Sequence, residues 1–444
     1  MNIFFLYWGL PGWIAAVFTI ALVIVLLTNL QAIILFFTGW AAIAKRPEVS
    51  RENADQFHWV FLVPALNEEV TIRDSVDRLV ALEAKHKTIL VIDDGSDDAT
   101  PEILAELARP ELTVLRREKP NAQVGKAAAL NDAWRYFREN VATKPEYAGF
   151  SDDQVIFVVV DADGRLDPLA ANYLAGHFLK PEVGGVQLSV RIYNRYNPLA
   201  WMQDVEFGIY GGLYQTGRTL TGTASMGGNG QANRLTALNS VVGDHDGPWR
   251  DYLTEDQDLG LTLIEHGWDG HHESRVTVAQ QGLSNLRALY RQRTRWSQGN
   301  IQTLRHVPLL RHGREGILAK IDLLWAVLQP PLQAFIGFAT LLAIYCAIWL
   351  GTPFVVPNSR WLWLWLAFLF FLGFGGTAIG CISIGRGHGP LGYLRGLLIA
   401  IPYAFYSWIL WPVIVRAFWR QVRGATGWAK TAREPMEPDE GARS

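Results

Sequence analysis

Two acidic runs hold the residues best suited to chemistry in the first half of the chain. In FVVVDADGRLDP, residues 157–168, four apolar residues lead into Asp161 and Asp163, one alanine apart. In TILVIDDGSDD, residues 88–98, a similar run ends at Asp93 and Asp94. Side chains at i and i+2 of an extended chain share a face. Asp161 and Asp163 are therefore expected side by side, where two carboxylates repel unless something positive lies between them. Taken alone, the pair reads as one helix cap and one solvated acid, as at many strand ends. Two acidic strand ends in one domain change that reading. A hard divalent cation prefers oxygen ligands and is commonly held by one or two carboxylates plus substrate phosphates. A nucleotide diphosphate leaving group needs that neutralisation, because its charge grows as the bond to it breaks. Asp161 and Asp163 are expected to share Mg2+ or Mn2+ with a diphosphate, and Asp94 to accept hydrogen bonds from a base or ribose.

The elements that must position these groups follow from hydrophobic patterning. HWVFLVPAL, TILVIDD, LTVLRR and QVIFVVVD read as strands, separated by amphipathic stretches over Asp74–Ala84, Thr100–Leu107 and Lys126–Asn140. Strand–helix alternation of this kind predicts an α/β domain with a mainly parallel sheet and helices on both faces. In such sheets ligands bind beyond the carboxyl ends of the strands, where the acidic runs fall. The first strand is followed by PALNEE rather than G-x-G-x-x-G, and no P-loop is present, so the common dinucleotide and nucleoside triphosphate sites are excluded.

Composition adds a membrane. The 444 residues are half apolar, with 40 Lys and Arg against 42 Asp and Glu, a balance with no sign of nucleic-acid binding. Cys346 and Cys381 both lie in apolar stretches, which offers neither a disulfide framework nor zinc spacing. From Asn2 to Ala44 there is no charged side chain, and Trp13–Trp40 is long enough to cross a bilayer. It lacks the basic start and short apolar core of a cleavable signal. Lys45, Arg46 and Arg51 follow, placing the next region in the cytoplasm. Leu323–Ser359 and Trp361–Gly385 are again uncharged and are expected to go out and return through a turn around Pro353–Ser359. Gly396–Val415 contains Pro402 and Pro412, which split it into pieces too short to span alone, so a bent or re-entrant segment with a cytoplasmic tail is expected. Glu434–Ser444 reads as disordered. The expected layout is a spanning helix over 1–44, a cytosolic domain over 45–283, amphipathic interface helices over 284–320, a membrane region over 321–419 and a tail over 420–444.

VPALNEE, IDDGSDD, GKAAALN, VVVDAD, GGNGQANR, TEDQDLG and QRTRW, in that order, resemble the processive, membrane-embedded family 2 glycosyltransferases. That group includes cellulose, chitin, hyaluronan and poly-N-acetylglucosamine synthases. Any one motif is weak, but seven in sequence are specific, and they cover roughly Phe61–Leu304. The resemblance implies a glycosyltransferase A-type fold and an inverting transfer from a UDP-sugar to a growing polysaccharide. It implies that Asp256 of T-E-D is the general base, since a sugar hydroxyl is too weak an acid to attack unaided. Glu255 falls in the same site, whereas Asp258 would serve the helix start, for which Thr254 is the expected N-cap.

In Q-x-x-R-W the resemblance places Gln292, Arg295 and Trp296 at the substrate. Arg295 would bind the diphosphate, and Trp296 would offer a flat face to the terminal sugar. Arg287, Arg291, Arg293 and Arg305 read instead as interfacial anchors on an amphipathic helix. Gly228 and Asn229 of the glycine-rich loop would lie beside donor and acceptor sugars, with Arg234 a weaker candidate. Lys126 stands at a helix start, where amides favour phosphate, and Asn67 and Glu68 match the part of the pattern that flanks the nucleotide. Trp325, Trp349 and Trp363 would line a polymer path or form an aromatic belt. R-W-S-Q-G favours UDP-GlcNAc narrowly over UDP-glucose. Expected partners are the sugar donor, the growing polysaccharide, membrane lipid and an accessory export or regulatory subunit. Single-sugar transfer to a lipid acceptor such as a polyprenol phosphate is the rival activity, and a non-catalytic nucleotide-sugar sensor or scaffold the rival of another class.

Overall fold

The computed structural model describes residues 10–308, 316–350 and 362–425. The turn expected at Pro353–Ser359, the tail from Glu434 and the side chain of Trp363 lie outside what is described. Strands β1 (His58–Ala65), β2 (Lys87–Asp93), β3 (Leu112–Arg116) and β4 (Val155–Val159) form at the four apolar runs. They pair in parallel in the order β3-β2-β1-β4. Both faces of these strands are covered. Trp59, Phe61, Val63, Ile156 and Val158 enter one core, and Val60, Leu62, Phe157 and Val159 enter the other. Each such fully buried side chain contributes roughly 1.5–3 kcal/mol.

The first core is closed by the helices Ile72–Val80, Thr100–Glu106 and Ala170–Phe178. The second is closed by Lys126–Tyr136, Leu235–Ser240 and Glu255–Glu265. The helix expected over 126–140 is regular only to Tyr136 and then widens into a π-helical turn, Phe137–Val141.

Four further strands were not apparent from patterning. β5 (Arg165–Leu166), β6 (Val183–Ile192), β7 (Gln231–Arg234) and β8 (Asp269–Gln280) extend the sheet to eight strands in the order β3-β2-β1-β4-β7-β6-β8-β5. β7 runs antiparallel to β4 and β6, and β5 antiparallel to β8. The sheet is thus mixed and largely parallel.

Among the described residues, three helical stretches, Gly12–Ala44, Gln329–Trp349 and Gly389–Val422, are long and apolar enough to cross a membrane, and an apolar helix covers Leu362–Ile384. Pro402 does not divide its segment as expected. It sits inside the continuous helix Gly389–Leu410, and Trp411, itself in helical conformation, leads on into Pro412–Val422. A proline removes one backbone hydrogen bond, a loss that apolar helices tolerate when their neighbours take up the freed group.

These helices are tied to the sheet domain by polar bonds as well as by packing. Arg218 Nε lies 2.6 Å from Asp322 Oδ2, and Gln31 Nε2 donates to Asp322 Oδ1 at 2.6 Å. Arg386 donates to the carbonyls of Gly212 at 2.7 Å and Phe36 at 2.6 Å. Arg218 and Asp322 are both largely buried. Removing one partner of a buried pair leaves an uncompensated charge and costs about 3–5 kcal/mol. Asp322→Leu is therefore expected to lower the thermal midpoint of the detergent-solubilised protein sharply. The double variant Arg218→Met/Asp322→Leu should recover most of that loss, because no lone charge remains.

Candidate active site

The site is built at the carboxyl end of β4. β4 stops at Val159, and residues 161–164 form a turn closed by Gly164 N–H donating to the Asp161 carbonyl at 2.6 Å. Asp161 and Asp163 are therefore not placed side by side by strand pleating, as expected from spacing, and the two carboxylates have different partners. Asp161 accepts from Lys126 Nζ at 2.6 Å. Asp163 is buried and accepts from the Gln281 amide at 3.2 Å. The positive charge beside the first aspartate comes from the chain itself.

Lys126 opens its helix directly after Gly125, and its amine also lies 3.9 Å from Glu255 Oε1. Gly228 completes the convergence. Its φ of +79° suits glycine, and a Cβ there would sit 2.7 Å from Asp256 Oδ2 and 3.7 Å from Lys126 Nζ. Asn229 anchors the loop, accepting from the Asp161 amide at 3.1 Å and donating to Gln280 at 2.9 Å. Gln187 of β6 fixes the same loop by donating to the Asn229 carbonyl at 2.8 Å. Thus Lys126, Asp161, Gly228, Asn229, Glu255 and Asp256 meet in one place, although they are distant in sequence.

Glu255 and Asp256 lie in the first turn of the Glu255–Glu265 helix, where the dipole favours anions. Thr254 occupies the cap position without a side-chain capping bond. Burial, reinforced by the charge of Asp256, pushes the Glu255 carboxyl up to about 7 against the pull of Lys126 and Arg295. Burial raises Asp256 as well, against the opposing pull of Lys126. Lys126 itself is raised: burial opposes its charge, but Asp161, Glu255 and Asp256 together outweigh that penalty. Asp258 stands apart, pairing with Arg305 and with His306 Nε2 at 2.9 Å, which hold it below the usual carboxylate range despite burial.

The remaining expected residues divide. Arg295 is close enough for its charge to act on Glu255. Gln292 accepts from Arg293 at 2.6 Å. Trp296 lies under the Arg293 guanidinium, 4.1 Å from ring centre to Cζ, and edge-on to Phe207. Asp94 is buried, where Arg117 and the Gln123 amide, at 3.0 Å, donate to its Oδ1. Asn67 and Glu68 bind across to the loop after β2. The Asn67 amide nitrogen donates to Asp97 at 2.6 Å, and the Glu68 N–H donates to Thr100 at 2.8 Å.

Three expectations fail. Arg234 pairs with the start of β4, opposite Ile156, at the far end from Asp161, and is spent on the carbonyls of Val183, Phe178 and Lys180. Arg293 is buried against Glu206 at 2.7 Å, and Arg305 binds Asp258, so neither is an interfacial anchor. Arg287 and Arg291 are exposed. Tyr210, within reach of the Asp256 charge, was missed. Its one local signal is the π-helical turn Tyr210–Gln215, a geometry frequent at functional sites.

Asp161 and Asp163 offer the hard oxygens that Mg2+ or Mn2+ prefers. No group of three or more such side chains is assembled among the described residues. That donor set fits a cation completed by diphosphate oxygens and water rather than one caged by protein.

An acidic site beyond the carboxyl ends of a largely parallel sheet, gripped by a glycine-rich loop, defines a glycosyltransferase with an A-type fold. The chain belongs to glycosyl transferase family group 2, which it matches over residues 156–419, and the description glycosyl transferase family 2 matches residues 60–239. It is similar to a beta-monoglucosyldiacylglycerol synthase from Trichormus variabilis, 32% identical over 60% of this chain and 54% of that one. It is also similar to a poly-beta-1,6-N-acetyl-D-glucosamine synthase from Staphylococcus aureus, 27% identical over 59% and 58%. The chain thus spans about half the length of these curated relatives. In fold it resembles a mannosyltransferase from Pyrobaculum calidifontis in complex with GDP-Man and Mn2+, with a TM-score of 0.60, 17% identity, and coverage of 92% of this chain and 99% of that one.

Glu255 carries a consequence for stability. Its folded pKa of about 7 lies above the roughly 4.3 of a free glutamate. The folded state therefore binds the extra proton between those values, and stability falls as pH rises through that window. Glu255→Gln is expected to leave the unfolding midpoint unchanged below pH 4 and to raise it above pH 8, measured by thermal denaturation. An equal effect at both pH values would show that the carboxyl is not held neutral.

Proposed function

We propose that the protein is a membrane-embedded, inverting glycosyltransferase that moves a hexose from a UDP-sugar onto the growing end of a β-linked polysaccharide. In this reading residues 45–283 form the cytoplasmic catalytic unit of a multi-pass plasma-membrane protein that also exports its product. The observation that carries it is the convergence of Asp161, Lys126, Gly228 and Asp256, which puts a donor-side carboxylate and a candidate base around one space.

Asp256 takes the acceptor proton, the acceptor oxygen forms its bond to the anomeric carbon, and the bond from that carbon to UDP breaks with inversion. A pKa raised by burial brings Asp256 nearer the working pH, where a general base is most effective. Lys126, bonded within the cluster, and Arg295, whose charge reaches Glu255, would hold the departing diphosphate. Asp161 and Asp163 would hold Mg2+ or Mn2+, which when bound supplies charge neutralisation for the leaving group. Trp296 would steady the terminal sugar with the part of its ring that Arg293 and Phe207 leave uncovered. The Q-x-x-R-W match and the Staphylococcus aureus relative support chain extension, with UDP-GlcNAc preferred narrowly over UDP-glucose.

A second reading has its own support: the Trichormus variabilis relative is named for a lipid product. Full-length protein in detergent, given UDP-GlcNAc or UDP-glucose with and without diacylglycerol, separates the two. Polymer formed without added lipid supports the first reading, and a monoglycosylated lipid as the only product overturns it. Release of UDP from neither donor would favour a sensor or scaffold.

Asp256→Asn is expected to lower transfer about 10²–10⁴-fold while UDP affinity, read by calorimetry, stays within a few-fold of wild type. Loss of transfer and UDP binding together would remove the base assignment. Chelation by EDTA should abolish UDP release and be reversed by Mn2+ or Mg2+. Asp163→Asn should raise the Mn2+ concentration needed for half-maximal rate, and an unchanged requirement would remove Asp163 from the metal site.

A further inference from the structure

A cavity of about 350 Å³ opens away from the carboxylate cluster, where the Gly12–Ala44 helix ends. None of Lys126, Asp161, Asp163, Glu255 or Asp256 lines it. Its charged and titratable wall is Lys45, Arg46, Lys180, Asp269, His177, His271 and His272, so three fixed cations face one carboxylate. Lys45 and Lys180 are exposed and make no ion pair among the described residues. Arg46 is oriented by a hydrogen bond to Ser274.

The back of the cavity is built rather than incidental. His271 Nδ1 lies 3.0 Å from His177 Nδ1, and His177 Nε2 lies 3.1 Å from Glu273, which also binds Arg275 at 2.6 Å. His272 Nε2 lies 3.0 Å from the Ser189 hydroxyl, and its backbone N–H donates to Thr219 at 2.9 Å. His272 Nδ1 is buried with no hydrogen-bond partner, and the residue is only 6% exposed. Burial depresses His272 to about 4 and His271 to about 3, which leaves both rings neutral at physiological pH. The Ser189 hydroxyl and the His272 ring share one hydrogen bond, and the ring stands neutral behind a basic rim. Three cations before a neutral back wall suit a compact, multiply accepting anion.

We propose that this cavity binds a phosphate group, supplied in the membrane by the headgroup of an anionic phospholipid. The cavity lies at the charged end of an apolar helix long enough to span, where the chain leaves its apolar run and a lipid headgroup can be met. This site is independent of the transfer reaction and of the acceptor's identity.

The test uses full-length protein in detergent, titrated calorimetrically with short-chain phosphatidylglycerol, phosphatidylcholine or inorganic phosphate. Wild type is expected to bind one phosphatidylglycerol per chain, more tightly than phosphatidylcholine and more weakly as salt rises. Each lysine near an anionic headgroup contributes about a fivefold factor, so Lys45→Ala/Lys180→Ala should bind about 30-fold more weakly. Lys45→Arg/Lys180→Arg should bind as wild type. Because both lysines are exposed, the thermal midpoint of each double variant should match that of wild type, which separates a lost site from a lost fold. Equal affinity for inorganic phosphate would keep the phosphate site and overturn its assignment to a lipid. No saturable binding by wild type, or unchanged affinity in Lys45→Ala/Lys180→Ala, would overturn the site itself.

Discussion

The acidic site stands because one lysine stands among its carboxylates. Lys126 lies 2.6 Å from Asp161 and 3.9 Å from Glu255, with Asp256 near enough to raise its pKa. At about 4 Å, a pair of unit charges interacts by roughly 1 kcal/mol in water and about 4 kcal/mol at the effective dielectric of a protein surface. Without the cation, three acids in this space would repel by similar amounts and protonate instead. Each piece of surrounding architecture serves that meeting. β4 ends early and turns, so that Asp161 faces the start of the Lys126–Tyr136 helix. The Gly228 loop lacks a side chain where Asp256 approaches. Helix Glu255–Glu265 brings two acids in its first turn, against burial that would otherwise neutralise them.

The helix carrying these acids is not an appendage of the soluble sheet. Leu261 and Ile264 on its outer side pack against Leu323 and Val327 of the apolar helix Ile317–Trp349. The helix Leu286–Gln302, with Arg295 and Trp296, is gripped from two sides. Arg293 binds Glu206 of the helix Pro198–Ile209, and Tyr406 of the helix Gly389–Leu410 donates to the same carboxylate at 2.8 Å. Gln298 is bound by Arg420 at 3.0 Å. A side chain whose own rotamer is locked by packing and by a second ring of hydrogen bonds can hold a substrate within a fraction of an ångström. The buried arginine that looked like a surface anchor in the sequence is one of these locks.

What was legible in the sequence is what local patterning can encode. Strands β1 to β4 are apolar on both faces and flanked by amphipathic helices, so period and length alone located them to within a residue or two. β8 was not legible because DGHHESRVTVAQ buries His271, His272 and Glu273, whose burial is made tolerable by Arg275 two residues along the strand and by His177, which is distant in sequence. The error over Arg234 has a related cause. Arg234 closes the glycine-rich loop expected beside the sugars, but β7 runs antiparallel to β4, and four residues are enough to carry Arg234 to the opposite end of the sheet. The same antiparallel insertion, invisible to periodicity, is what places Gly228 and Asn229 correctly, at the end of β7 nearest Asp161.

The cluster explains donor chemistry better than acceptor choice. A carboxylate in Asp256's position can accept a proton from any hydroxyl brought to it, whether on a sugar chain or on a lipid. Discrimination therefore has to come from the residues that approach from the membrane side. Tyr210 sits within reach of Asp256 in a π-helical turn, and that turn is followed at once by Thr216–Thr219, whose Arg218 is fixed to Asp322 of an apolar helix. Trp296 approaches from the other side, tied through Arg293 and Glu206 to Tyr406 of a second apolar helix. In the proposed reading the acceptor would meet aromatic groups whose positions are set by the apolar helices, while the donor would meet carboxylates whose positions are set by the sheet. A change in acceptor would need only those aromatic supports to shift, and the charged cluster could remain as it is.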